Sequence, residues 1–339
     1  MKNLHIFTNV ERFYSSPTQL IFIENNVGLV SHSLTHFEKK ILLKSPKLYS
    51  FKIINNDIYY QYENGGDLLV LNNNLLYKGK FYLSSSIIWN RLLIIDKKNL
   101  DSKQYEIHFI ENEENKLSKL VFFPDIIIDD FKYLFIAVNT IHIYSFNNEL
   151  IWQKQFRELL NSEEIILRNY YVYQNKLIIH LRTNGLPSNE YVTVVLDVAT
   201  GNELHRTPQP MGDKLIDALG YTLYEKRMWI SNPDTYEVQM IDFSEELSAL
   251  DQDVPDRIGD VDLGTSVRKF EFSPQYFTIE YPYLYFSQNR GLQVGMIDIE
   301  KRKLLWHTEI EEDGVIKDLK SGNNRLYVHT TNNNLYVYG

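Results

Sequence analysis

The stretch VIKDLKSGNNRLYVHTTNNNLYVY, Val315–Tyr338, holds a whole structural unit in two dozen residues. Val315–Lys320 alternates apolar and polar residues, Gly322-Asn323-Asn324 interrupts, and Arg325–Thr330 alternates again. Asn332-Asn333-Asn334 interrupts a second time before Leu335–Tyr338 resumes the alternation. A period of two puts successive side chains on opposite faces of a strand. Asn and Gly accept the positive φ of tight hairpins. The stretch therefore reads as three antiparallel strands.

Its middle phrase recurs along the chain: a polar residue, an aliphatic-aromatic run of about four residues, then Asn, Asp or Gly. Copies open at Leu20, Ile58, Leu92, Leu134, Leu177, Met228, Leu284 and Leu326, in steps of 38, 34, 42, 43, 51, 56 and 42 residues. Repeats near forty residues built from short strands signal a radial β-architecture. Asn55-Asn56, Asn64-Gly65-Gly66, Asn72-Asn73-Asn74, Asn147-Asn148 and Gly201-Asn202 punctuate other copies in the same way.

Most copies continue into a fourth strand. Glu149-Leu150-Ile151-Trp152 and Lys303-Leu304-Leu305-Trp306 are the clearest, with Asn202-Glu203-Leu204-His205 and Leu75-Leu76-Tyr77 as degenerate forms. Acidic residues precede two of the turns, in Asp197-Val198-Ala199-Thr200-Gly201 and in Asp298-Ile299-Glu300. This pattern resembles the blade of quinoprotein-type β-propellers, where a strand ends in Asp, a Thr-Gly turn follows and the next strand carries Trp. WD-repeat propellers are the neighbouring family, although the chain has no Trp-Asp dipeptide. The resemblance implies fold, not cofactor, because the chain lacks the cysteine pair often found at the quinone site.

The expected fold is all-β: one β-propeller domain spanning 1–339, with eight four-stranded blades. Seven blades are the alternative. The N-terminal run Asn3–Thr8 is expected to lie beside Leu335–Tyr338 and close the ring, since an open propeller would expose sheet edges. Trp89, Trp152, Trp229 and Trp306 read as packing residues. Phe156, Leu159 and Leu160 have helical spacing, and Ser244 can cap a short helix through Ala249 inside the longest insertion, Asp242–Asp262.

Composition limits the function classes. The chain has no cysteine, and its first residues lack the apolar run of a secretion signal. No segment approaches the ~18 apolar residues of a membrane span. These features predict a cytoplasmic protein without a membrane partner. Against 35 Lys and Arg stand 44 Asp and Glu, a formal charge of −9. A nucleic-acid binder carries a basic stripe; here there are only short pairs such as Lys39-Lys40 and Lys97-Lys98. A direct nucleic-acid ligand is not expected.

Chemical motifs are equally scarce. There is no nucleophile elbow or phosphate loop. His108, His142, His180 and His329 alternate with apolar neighbours, as structural histidines do. His32 and His36 lack a third ligand, and Asp251, Asp253 and Asp256 lack the Gly and terminal Glu of a calcium loop. No catalytic residue, metal or cofactor is expected. An enzyme reading, a lyase or hydrolase working at a central channel, would need charge on the first strands, which offer mostly Ile, Leu, Val and Ser.

What stands out is acidity. The insertion gathers Glu245, Glu246, Asp251, Asp253, Asp256 and Asp260 with the apolar Phe243 and Leu247, against a single Arg257. Those eight residues form the expected partner-binding surface, for a basic protein. Further clusters lie at Glu309, Glu311, Glu312 and Asp313, and at Glu111, Glu113 and Glu114. The expected function is non-catalytic protein binding. In its acidity and its bias toward Asn, Ile, Lys and Tyr, the chain resembles propeller-type immunity proteins of bacterial contact-dependent toxin systems. That resemblance implies an antitoxin that neutralises a basic toxin domain such as a ribonuclease; a general interaction scaffold is the alternative.

Overall fold

Strand alternation and Asn-rich turns together dictate the local structure of the protein, here a computed structural model. It describes the chain outside residues 37, 55, 73–75, 89–90, 100–103, 112–115, 123, 130, 161, 163, 184–190, 207–219, 225–226, 233–236, 243–255, 258–271, 289–291 and 302. The turn residues adopt the conformation expected of them. Asn26, Asn56, Asn72, Asn148, Asn323, Asn324 and Asn333 all have φ between 57° and 71°. Consecutive positive values at Asn323 and Asn324 suit a two-residue hairpin whose twist matches its strands.

Two compact units result, one of residues 11–161 with 198–202, the other of residues 1–10, 162–197 and 203–339. The 11–161 unit holds four antiparallel meanders. The first is β2 (Val10–Ser15), β3 (Gln19–Glu24), β4 (Gly28–Ser33) and β5 (Lys39–Lys44). Next come β6 (Ser50–Ile54), β7 (Asp57–Gln61), β8 (Leu68–Val70) and β9 (Leu76–Tyr77). The third is β10 (Phe81–Ile88), β11 (Arg91–Asn99), β12 (Gln104–Glu111) and β13 (Lys116–Leu120). The fourth comprises β14 (Ile126–Ile127), β15 (Lys132–Ala137), β16 (Thr140–Ser145) and β17 (Leu150–Gln155), followed by the helical turn α1 (Phe156–Leu159). The spacing of Phe156 and Leu159 anticipated that turn, and both side chains are buried.

Consecutive sheets in this unit pack face to face. Ile21, Ile23 and Leu29 meet Leu48, Phe51, Ile58 and Tyr60. Tyr59, Leu68 and Val70 meet Phe81 and Ile110, and Phe109 and Leu120 meet Tyr133 and Phe146. Each such side chain removed from water contributes about 1.5–3 kcal/mol, which is why the aliphatic-aromatic phrase recurs once per sheet.

The other unit has β18 (Ile165–Tyr173), β19 (Lys176–Thr183), β20 (Tyr191–Asp197) and β21 (Glu203–Arg206) in one sheet. A second contains β22 (Gly220–Tyr224), β23 (Arg227–Asn232), β24 (Glu237–Asp242) and β25 (Asp256–Arg257). A third contains β26 (Phe272–Glu280), β27 (Tyr283–Gln288), β28 (Gln293–Asp298) and β29 (Lys303–Glu309). The last has the order β1-β32-β31-β30, from β30 (Ile316–Gly322), β31 (Arg325–Thr330), β32 (Leu335–Tyr338) and the N-terminal β1 (Asn3–Phe7). Asn3 pairs with Tyr338 and Phe7 with Leu335, and Lys2 and Gly339 exchange backbone hydrogen bonds at 2.8 and 3.1 Å. The chain ends thus complete one sheet.

The blade count expected from the sequence, eight with seven as the alternative, requires correction. Backbone pairing defines eight four-stranded sheets among the described residues. The propeller has six blades, not eight and not seven. A hydrophobic phrase reports a strand pair; how strand pairs are grouped into blades is a tertiary property.

Candidate functional site

In several copies the repeating phrase carries a polar residue at one place, three positions after its opening aliphatic residue. In four copies this is Gln61, His180, Ser287 and His329, all buried. A buried amide or imidazole costs several kcal/mol unless it is hydrogen-bonded. Gln61 Nε2 donates to the carbonyls of Gly66 and Phe81, both at 2.9 Å, and its Oε1 accepts from the Leu83 amide. His329 Nε2 donates to the Val10 carbonyl at 2.7 Å. Phe81 and Val10 are the first residues of β10 and β2, so the two side chains make the same connection to the start of a following strand. His180 lies between the Tyr171 hydroxyl, at Nε2, and the Thr193 hydroxyl, 2.7 Å from Nδ1.

These groups are arranged for structure. Burial pushes the pKa of His180 and of His329 down to about 4, so both rings are neutral near pH 7. The sequence expectation that they are satisfied core histidines agrees with this geometry. Burial also lowers the pKa of His142, whose ring lies near Phe135 and Tyr144. His32 is buried on β4 and His36 lies in the turn after it, so they do not share a helix face. Among the described residues, no three His, Cys, Asp or Glu side chains stand close enough to hold a metal ion.

A second arrangement surrounds Trp152 on β17. Its indole Nε1 donates to the Val198 carbonyl at 2.8 Å, and Lys154 Nζ donates to the Gly201 carbonyl at 2.8 Å. Gly201 has φ +72, and a Cβ there would sit 2.8 Å from Trp152 Cδ2. Turn and indole face are therefore mutually fitted. Trp306 packs on Tyr338 with ring centroids 5.1 Å apart. Trp89 and the Trp229 side chain lie outside the described residues. In the related turn after β28, buried Asp298 accepts from the Lys301 amide and ammonium, which hold its carboxyl below the usual carboxylate range.

Of the expected partner-binding residues, Phe243, Glu245, Glu246, Leu247, Asp251, Asp253 and Asp260 lie outside the described residues. Asp256 is described through its backbone. It opens β25 and pairs with Met240, so the insertion leaves after β24 and returns as the fourth strand of that sheet. Unpaired donors and acceptors along β24 recruit Asp256-Arg257 into that sheet. Glu312, from the second acidic cluster, turns inward and accepts from Asn334 Nδ2 at 2.5 Å and the Tyr336 hydroxyl at 2.8 Å. Glu309, Glu311 and Asp313 remain exposed.

Sequence reasoning missed a basic and aromatic surface in the 11–161 unit. The Arg12 guanidinium lies 5.6 Å from the centroid of the exposed Tyr49 ring. Lys44 and Lys47, both exposed, lie in and just before the connection that carries Tyr49. Fourth strands are also enriched in cations. Across the eight of them, nine Lys and Arg face three carboxylates in a chain that is acidic overall. Charged edges resist pairing with a second sheet edge. The signal was the uneven placement of charge, which a net total conceals.

No protein-family model matches the chain, and no curated protein matches it. Solved structures do. Sqt1 of Saccharomyces cerevisiae is 11% identical, with 99% of this chain and 98% of that one covered and a TM-score of 0.58. BamB from Moraxella catarrhalis is 10% identical over 99% and 96%, with a TM-score of 0.54. The computationally designed protein Ika8 is 7% identical over 98% and 96%, with a TM-score of 0.53. The likeness is one of fold: the chain is an all-β propeller with neighbours of the WD40 and BamB type.

Proposed function

We propose that the protein is a non-catalytic, cytoplasmic protein-interaction scaffold. The observation that carries this reading is where the four most exposed large apolar side chains among the described residues stand. Phe131, Val121, Val138 and Val315 all lie in connections rather than on strand faces. Val138 is 93% exposed at φ +40, in the turn between β15 and β16. A β-branched residue is strained in the left-handed region, and Asn or Gly would hold this turn at lower cost. Exposed apolar groups on a rigid frame suit recognition of a partner.

A finer reading rests on charge. A net charge of −9 and the acidic insertion after Asp242 favour a basic partner, and an immunity protein bound to a toxin nuclease would be one form of it. Crosslinking of the purified protein in an extract of its source cells, with mass spectrometry, tests both readings. The scaffold reading expects specific protein adducts, weakened in Val138→Asn although that variant is about 1 kcal/mol more stable. Adducts with basic proteins lost on reversing Glu245, Glu246, Asp251 and Asp253 to Lys would support the finer one. Absence of any specific adduct sinks the scaffold reading.

A further inference from the structure

We propose that Arg12, Tyr49, Lys44 and Lys47 form a docking surface for an acidic segment of a partner protein. The proposal rests on the scaffold reading and supplies the chemistry of one partner.

The surface is built on fixed backbone. Along β2, buried Val10 and Phe13 anchor the strand, while Arg12 and Tyr14 share a face and are exposed. Glu11 lies on the opposite face. The Tyr49 amide donates to the Gln61 carbonyl at 2.9 Å, which extends the pairing of β6 with β7 by one residue. Leu48 beside it is buried in the apolar cluster between the two sheets. The Ser45 amide donates to the Val27 carbonyl at 3.0 Å, so the connection bearing Lys47 is held at both ends.

On that frame the cations lack carboxylate partners. Lys39 is paired with Glu24 at 2.6 Å, but among the described residues no ion pair involves Arg12, Lys44 or Lys47. A guanidinium stacked on an aromatic ring keeps the donors along its edge free, in the fork that matches a carboxylate. Arg and Tyr are also the residue types that dominate interface energetics. Charge complementarity therefore selects an acidic peptide. A nucleic-acid backbone fits less well, because it needs an extended basic stripe and would meet the field of a chain at −9.

The test uses fluorescence anisotropy of a labelled peptide of alternating Glu and Val, titrated with the full-length protein at low and physiological salt. The wild type is expected to bind, more weakly as salt rises. The Arg12→Glu, Lys47→Glu double variant should weaken binding at least about tenfold, as should Tyr49→Ala. Arg12→Lys should lose part of the affinity, having charge but no fork. Reversal of Lys78 and Lys80, exposed elsewhere in the same unit, should leave the affinity unchanged. Equal loss in that control, tighter binding of an oligonucleotide of matched charge, or no binding by the wild type overturns the proposal. If the wild type ignores the peptide but still forms specific protein adducts, this surface is wrong and the scaffold reading stands. If both fail, the scaffold reading fails with it.

Discussion

Replacing Gly201 by Ala should destabilise the protein by about 2–5 kcal/mol, through two separable causes. Its φ of +72 lies in the left-handed region, where a Cβ costs roughly 1–2 kcal/mol. The new Cβ would also stand 2.8, 3.0 and 3.2 Å from Trp152 Cδ2, Cε3 and Cε2. The indole cannot retreat freely, because its Nε1 is bonded to the Val198 carbonyl, and such overpacking typically costs about 1–3 kcal/mol. Only the second cause depends on the ring. In a Trp152→Ala background the steric part should vanish, leaving the backbone part alone and a coupling energy of at least about 1 kcal/mol. Urea denaturation of the four proteins, followed by far-UV circular dichroism, completes the cycle. If Gly201→Ala costs the same with and without the indole, the turn and Trp152 are not mutually fitted and the reasoning fails.

Three further outcomes follow from the same geometry. His180 and His329 are held neutral in the fold, whereas the unfolded chain protonates them near pH 6.5; their stabilisation is therefore complete above pH 6.5 and lost as pH falls toward 4, by roughly 3 kcal/mol each. His329→Gln, which places the residue of Gln61 at the equivalent position, should flatten part of that loss in denaturation curves taken between pH 7 and 4; an unchanged pH profile would show that the ring does not titrate as described. Gln61→Leu removes the side-chain donor to the Gly66 and Phe81 carbonyls, leaving Gly66 only the Phe81 amide at 3.3 Å, and should cost about 1–3 kcal/mol in chemical denaturation, while a neutral effect would mean the amide is not needed there. Deletion of residues 1–9 removes β1 and bares the edge of β32, so thermal unfolding should begin at clearly lower temperature, with a loss of at least about 3 kcal/mol; a melting curve like that of the full chain would show that the pairing of Phe7 with Leu335 contributes little.

Local structure was largely legible before the fold was seen. Alternation in Arg325–Thr330 and Leu335–Tyr338 gave strands, and Asn323 and Asn333 gave turns, because strand pleat and positive φ are properties of one or two residues. The pairing of the N-terminal strand with the C-terminal one was also readable, since an unmatched alternating run at each end leaves two edges to satisfy. Site residues were far less legible. Nothing in the phrase around Gln61 or His329 says which carbonyl the side chain will reach, and Arg12 and Tyr49 stand 37 positions apart in sequence.

The sequence by itself determined the all-β class, the near-forty-residue repeat, the hairpin turns and the acidic balance, because each arises from short-range conformational preference or from composition. Tertiary structure alone decided how many blades the strand pairs form, where each buried polar side chain finds its partner, and that the return of the insertion at Asp256-Arg257 is a strand. It alone brought Trp152 onto the turn at Gly201 and Arg12 onto Tyr49. The division has a physical cause. Burial, and hydrogen bonds between residues far apart in the chain, are set by which surfaces meet once the strands exist, and a linear pattern carries the strands without the meeting.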